Sequence, residues 1–415
     1  MRRLFVLSIL VLSATLAVSE AVRTLPANWA QLAELTPTIR AKNDWFGISI
    51  AINGNTVVVG DFDANIEEFG TVDVFVKPAS GWTNMTQTAT LTSSDSGAGF
   101  GISVAISDNI IVVGAANTSN FSKQTTPGAV YVFVKPAGGW KDMTETVKLT
   151  ASDGISGDAF GNSVSISGNT IAVGAFFVNN FSGRVYVFTC TSGGCTQAAE
   201  LSASDSDGIL DYLGCSVAIS GNTVVAGSYG HNNFQGSAYV YVEPSGGWAD
   251  MTETAELTTF NGKGSDDVGF SVAISSGTVV AGAPGAFTGY GAAYVYVEPP
   301  TGWASTGNFT AALGAPDAVQ GDSFGQSVGI NESAKAIAVG GPGANIGQNL
   351  EQGAVYAYVL PATGWKTTRH AYAEATASDG ASADLMGTSI GISGTTIVAG
   401  APKSSSPGAA YVFGR

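Results

Sequence analysis

One residue pair, Phe-Gly or a near relative, returns seven times: Phe46-Gly47, Phe100-Gly101, Phe160-Gly161, Leu213-Gly214, Val268-Gly269, Phe324-Gly325 and Met386-Gly387. Repeats of this length cannot bury their own apolar faces singly and must stack, so the period constrains the fold more than any local propensity does. Within each copy a run alternating small and branched residues, such as Ser216-Val217-Ala218-Ile219, shows the period of two that marks a strand. Tight turns such as Ser220-Gly221-Asn222 follow, and then a second apolar run ends at a glycine: Gly60, Gly114, Gly174, Gly227, Gly282, Gly340 and Gly400. Those glycines, and another before each third run, are expected to be backbone turns at strand ends.

The third run is aromatic and β-branched, as in Tyr239-Val240-Tyr241-Val242. A Pro-x-x-Gly-Trp tip leads into a fourth, more polar run that reads as an edge strand. Four antiparallel strands repeated seven times, with no helical period, predict an all-β chain: a seven-bladed β-propeller of four-stranded blades. The last copy stops at Tyr411-Val412-Phe413-Gly414-Arg415, without its tip and fourth strand, while Trp29 and Ala33-Glu34-Leu35-Thr36 near the start supply those pieces. The N-terminal segment is therefore expected to close the ring as the outer strand of the last blade.

Met1-Arg2-Arg3, the apolar run Leu4 to Val18 and Ser19-Glu20-Ala21 have the parts of a secretory signal peptide over residues 1–21, leaving residues 22–415 as a single propeller. No later segment is long enough to span a membrane. The mature chain is expected to be secreted, extracellular or periplasmic, and monomeric. A net charge of -15 with only 12% charged residues argues against nucleic acid as a partner. Export permits disulfides, and Cys190 and Cys195 bracket the one hairpin tip without the Trp motif, so a bridge across that hairpin is the sensible pairing. Cys215 is left over as a packed thiol. Asn84, Asn117, Asn120, Asn180, Asn308 and Asn331 begin glycosylation sequons, which matter only in a eukaryotic secretory pathway.

The Phe-Gly pairs, with Gly282-Ala283-Pro284 and Gly400-Ala401-Pro402, resemble FG-GAP repeats, the family that builds the N-terminal propeller of integrin α chains. The resemblance covers essentially the whole mature chain and implies a propeller serving as an extracellular binding or adhesion platform. It also implies calcium held by acidic loops between first and second strands. Here those connections are mostly tight turns like Ser220-Gly221-Asn222, without the acidic ligand set, so that site is not carried over.

Acidic residues gather instead between each fourth strand and the next first strand, including Asp153, Asp158, Asp322 and Asp384. Connections between second and third strands should emerge on the same face, bringing Asp61, Asp63, Phe181, Tyr229, Phe234 and Tyr290. This face is the expected site for a partner protein or surface glycan. Asp205, Asp207 and Asp211, spaced around Gly208, could surround a hard cation such as calcium. Asp and Asp-Gly are also ordinary turn chemistry, which accounts for most of these acids without any ligand. His231 and His370 stand in different repeats and form no recognisable nucleophile arrangement, so a non-enzymatic module is expected. A glycan-active hydrolase or lyase using loop carboxylates is the alternative, and a structural wall or matrix component a third.

Overall fold

The computed structural model describes residues 29–38, 44–63, 70–95, 99–116, 126–206, 208, 210–331, 335–402 and 408–414. They form seven sheets of four or five strands arranged as the blades of a closed propeller. Blade four is typical: Val217–Ser220, Thr223–Ser228, Ser237–Val242 and Ala255–Leu257 run antiparallel in chain order from the inside out. The first strands stand side by side around the ring, and the last of them, Ser389–Ser393, packs against the first, Asp44–Asn53. Blade seven takes its fourth strand from the start of the chain, where Ala30–Thr36 pairs antiparallel with Ala409–Gly414.

The core lies between blades rather than within them. One apolar cluster joins Val58, Val72 and Leu91 of blade one to Phe100, Tyr131 and Phe133 of blade two. Another joins Phe46, Val57 and Phe75 of blade one to Val398 and Val412 of blade seven. The tip tryptophans belong to these seams: Trp82, Trp140, Trp303 and Trp365 are all buried, Trp82 among the residues that join blades seven and one.

The glycines ending each second run are not turns. Each sits within a strand, where the next blade's Phe-Gly carbonyl crosses it so closely that a Cβ on Gly227 would lie 1.8 Å from the Gly269 oxygen, and one on Gly400 1.9 Å from the Gly47 oxygen. The same carbonyl accepts a hydrogen bond from the serine that follows each Phe-Gly pair. Ser49 donates to Gly101, Ser103 to Gly161, Ser163 to Gly214, Ser216 to Gly269, Ser271 to Gly325, Ser327 to Gly387 and Ser389 to Gly47, all at 2.7–2.8 Å. The seventh bond closes the circle.

Three of the fourth strands, in blades seven, one and three, are not free edges either. Met85–Thr86, Met143–Thr144 and Met251–Thr252 each leave their own blade and pair parallel with the outer strand of the blade before. Side chains beside them complete the cover, as where the Thr90 and Glu200 amides donate to Asp142 and Asp250, both at 2.9 Å. Paired edges of this kind are closed to further strand addition. In blade three the hairpin Arg184–Thr191 to Gly194–Ser202 continues unbroken to its tip, with Cys190 and Cys195 bonded across it. Among the described residues no helix is long and apolar enough to cross a membrane.

Candidate functional site

The connections from fourth to first strands and those from second to third strands meet on one face. The Gly230 amide donates to the Asp211 carbonyl, Asp267 to Phe234, and Gly343 to Asp322, so the two families of loops interlock. Three second-to-third connections contain left-handed turns: Asn179, Asn180 and Phe181; Asn232, Asn233 and Phe234; Phe287 and Thr288. Asn tolerates this backbone because its short polar chain bonds locally, whereas the aromatic and β-branched residues hold it at a cost of about 1–3 kcal/mol each.

Most loop aspartates are committed to the loops themselves. Asp158, Asp266, Asp322 and Asp384 each accept the backbone N–H three residues earlier, from Ile155, Lys263, Val319 and Ala381, at 2.6–2.8 Å. A second set accepts the phenol of the third strand: Asp95 from Tyr131, Asp153 from Tyr186, Asp205 from Tyr239 and Asp317 from Tyr356, at 2.6–3.2 Å. Asp61 is buried in the second strand of blade one, and the side chain of Asp63 lies outside the described residues.

Blade four departs from this plan because its loop is one residue longer. Asp205 and Asp211 are six apart, where Asp153 and Asp158, or Asp317 and Asp322, are five apart. Asp211 bonds to the Ser206 hydroxyl at 2.5 Å and turns its other oxygen to Nδ1 of His231 at 3.2 Å. The opposite ring nitrogen, Nε2, faces Asp205 at 3.6 Å and Glu256 at 3.8 Å. The three donor atoms of Asp205, His231 and Glu256 lie within 4.8 Å of one another. Tyr239 donates to Asp205 and Ser237 to Glu256, both at 2.8 Å. Burial raises the Glu256 carboxyl above its usual range, with the Asp205 charge adding to the rise and the Ser237 bond opposing it. Burial and the same two charges push the Tyr239 phenol well up, so it stays a donor.

The expected trio is thus rearranged. Asp205 and Asp211 come to opposite sides of an imidazole, and Asp207 lies outside the described residues. His231 was weighed only as part of a nucleophile arrangement and Glu256 was missed; comparing the repeats column by column finds the first, because His231 stands where blades three and five carry Val178 and Ala286, but not the second, because Glu200 and Glu374 fill the same column.

The aromatic expectations divide. Phe181, Tyr229 and Phe234 gather around Tyr212, which stacks on Tyr229 with coplanar rings 4.9 Å apart and approaches Phe181 at 5.8 Å and Phe234 at 6.3 Å. Tyr290 stands apart, on a cleft of about 390 Å³ with Phe287, Arg369 and His370. Across Phe287 lies a larger cleft of about 640 Å³, lined by Asn261, Lys263, Asp266, Tyr294 and Gln320. Asn261 stands where four other blades have the phenol-accepting aspartate, and among the described residues no group bonds the Tyr294 hydroxyl. Phe260, 71% exposed, stacks on Phe309 at 5.6 Å, and Phe309 meets Tyr294 at 4.9 Å. Cys215, half-buried, donates to the Gly269 carbonyl, and burial pushes its thiol up to about 11, which leaves it protonated at neutral pH.

Comparison with solved structures finds the crystal structure of Chaetomium thermophilum Sqt1, at 16% identity and a TM-score of 0.44, over 79% of this chain and 71% of that one. No curated protein matches the sequence. The FG-GAP repeat matches residues 29–75, 85–133, 143–188, 195–241, 251–296, 308–358 and 371–413. Each match opens on or just before an outer strand and ends in the next third strand, so the family's unit straddles the seams that the serine bonds close. With seven such units in phase over nearly all of the described fold, this chain belongs to the FG-GAP repeat family.

Proposed function

We propose that the chain is an exported, non-enzymatic binding platform whose loop face takes a surface glycan, a reading carried by the blade-five cleft and its aromatic rim. A sugar ring offers a face of C–H groups and an edge of hydroxyls. Phe287, 49% exposed on the cleft wall, and Phe260, 71% exposed and next in the chain to Asn261, are suited to the first, and the polar ends of Lys263, Gln320 and Tyr294 to the second. A cleft of about 640 Å³ is in the range of small-ligand sites. A partner protein is the second reading, favoured by the rings around Tyr212, since exposed aromatic patches mark interaction surfaces.

Export rests on the charged, apolar and small-residue segments of residues 1–21, and the disulfide suits an oxidising compartment. Binding rather than catalysis is supported at blade four, where the Asp211–His231 pair directs its second nitrogen at two carboxylates instead of a hydroxyl or thiol nucleophile.

A glycan array probed with the full chain, followed by a reducing-sugar assay on each hit, tests the proposal. Binding without release of sugar, weakened about tenfold or more by Phe287→Ala, is the expected result. Turnover lost on Asp205→Ala would make the chain a hydrolase. Binding indifferent to Phe287→Ala but lost on Tyr212→Ala would move the site to the aromatic patch.

A further inference from the structure

We propose that blade four binds one divalent transition metal of the zinc class through His231 Nε2, Asp205 and Glu256, with Asp211 as the positioning residue for the imidazole. The spacing fits. A tetrahedral ion with ligand bonds of about 2.1 Å holds its donors about 3.4 Å apart, and Nε2 stands 3.6 Å from Asp205 and 3.8 Å from Glu256. Closing those two separations on an ion needs shifts of tenths of an ångström, and the third pair of donors, Asp205 and Glu256, lies within 4.8 Å.

The surroundings are those of a metal-ligating histidine. Such a residue donates its other ring nitrogen to a carboxylate, which fixes the tautomer and aims the lone pair. Asp211 accepts from Nδ1 at 3.2 Å with its side chain 3% exposed, and Ser206 holds the carboxylate in place. The ligating carboxylates are hydrogen-bonded in turn, to Tyr239 and Ser237.

Charge supports the same conclusion. Three carboxylates surround one imidazole, and among the described residues neither Lys nor Arg pairs with any of them. A protonated imidazole would leave a net charge of about two negatives in a partly buried space, whereas a dication with neutral imidazole leaves about one. Imidazole nitrogen favours zinc, cobalt or nickel over calcium, which takes six to eight oxygens. Three protein ligands leave a tetrahedral ion one further position, and Asp205, 39% exposed at its side chain, is on the solvent side.

The full chain, freed of any affinity tag and treated with a chelator, is titrated with Co²⁺ and then Zn²⁺. One equivalent of Co²⁺ should give the visible absorption of a tetrahedral site, Zn²⁺ should displace it, and millimolar Ca²⁺ should not. His231→Gln and Glu256→Gln should each weaken binding more than about 100-fold, and Asp211→Asn about 10- to 100-fold. Unchanged circular dichroism identifies the folded variants; should His231→Gln not fold, Glu256→Gln decides by the same measure. Absence of saturable binding, displacement by equimolar Ca²⁺, or affinity unchanged in the folded ligand variant would overturn the proposal.

Discussion

Blades four and five share one strand plan, and three of the corresponding side chains at which they differ decide the site. Asp205, His231 and Glu256 in the former correspond to Asn261, Ala286 and Ala312 in the latter. The tyrosine between them is common to both, as Tyr239 and Tyr294. Where the charged trio is present, the phenol donates to Asp205, which in turn faces the imidazole at 3.6 Å, so the space is filled by one polar cluster. Where it is absent, Tyr294 opens onto a cleft of about 640 Å³. The scaffold therefore sets where a site can be, and a few side chains that the seams do not need decide whether it holds an ion or a larger ligand.

The sharpest way to break that comparison is to attack the scaffold, which should respond alike in both blades. Gly227→Ala would place a Cβ 1.8 Å from the Gly269 carbonyl oxygen, and Gly282→Ala one 2.0 Å from that of Gly325. Backbone atoms on both sides cannot give way, and the adjoining serine bond is forced apart with them. Each change should cost about 3 kcal/mol or more in denaturant melts. A large difference between the two variants would show that the blades do not share an equivalent seam.

The next largest effect separates the blades. The triple change Asp205→Asn, His231→Ala, Glu256→Ala gives blade four the side chains of blade five at all three positions. It should leave metal-free stability nearly unchanged, because the lost contacts were offset by mutual repulsion of the carboxylates. The stabilisation conferred by zinc, about 2.7 kcal/mol at a hundredfold excess over Kd, should vanish. Thermal melts with and without zinc measure both quantities. A variant that melts far below the metal-free parent would make the trio structural.

The scaffold was legible in the sequence and the site mostly was not, for different physical reasons. The blades, their number and the closing strand follow from periodicity and turn chemistry, which act within one copy. The Gly227 class was misread as turns because its cause is a carbonyl in the next blade, which no single repeat displays. The fourth strand of blade three was misread as an edge for the same reason, since Met251–Thr252 comes from the following copy. His231 was set aside because its partners Asp205 and Glu256 are 26 and 25 residues away in the chain. What marked the site was its departure from the repeat: an extra loop residue before Asp211 and a histidine in an apolar column.

The smallest expected effect concerns the position after the loop aspartate, where blade four has Tyr212 and blade five has Asp267. Burial, with the Asp266 charge adding to it, raises the Asp267 carboxyl from 3.8 to about 6. The folded state thus holds a proton that the unfolded state has released between those two values. Its contribution is fully present below about pH 3.8 and is lost as the pH rises through about 6. Asp267→Asn should abolish this loss and raise stability at pH 7.5 by about 1 kcal/mol, discounted for partial solvent contact, while changing little at pH 4. Asp73, buried in blade one at the strand position of Tyr239 and also raised to about 6, keeps its own slope and serves as the internal reference. Tyr212→Phe in blade four should leave the same pH profile untouched. Denaturant melts of the three proteins from pH 4 to 8 measure the contrast; a profile unaltered by Asp267→Asn would assign the whole acid-side slope to other groups, Asp73 first among them.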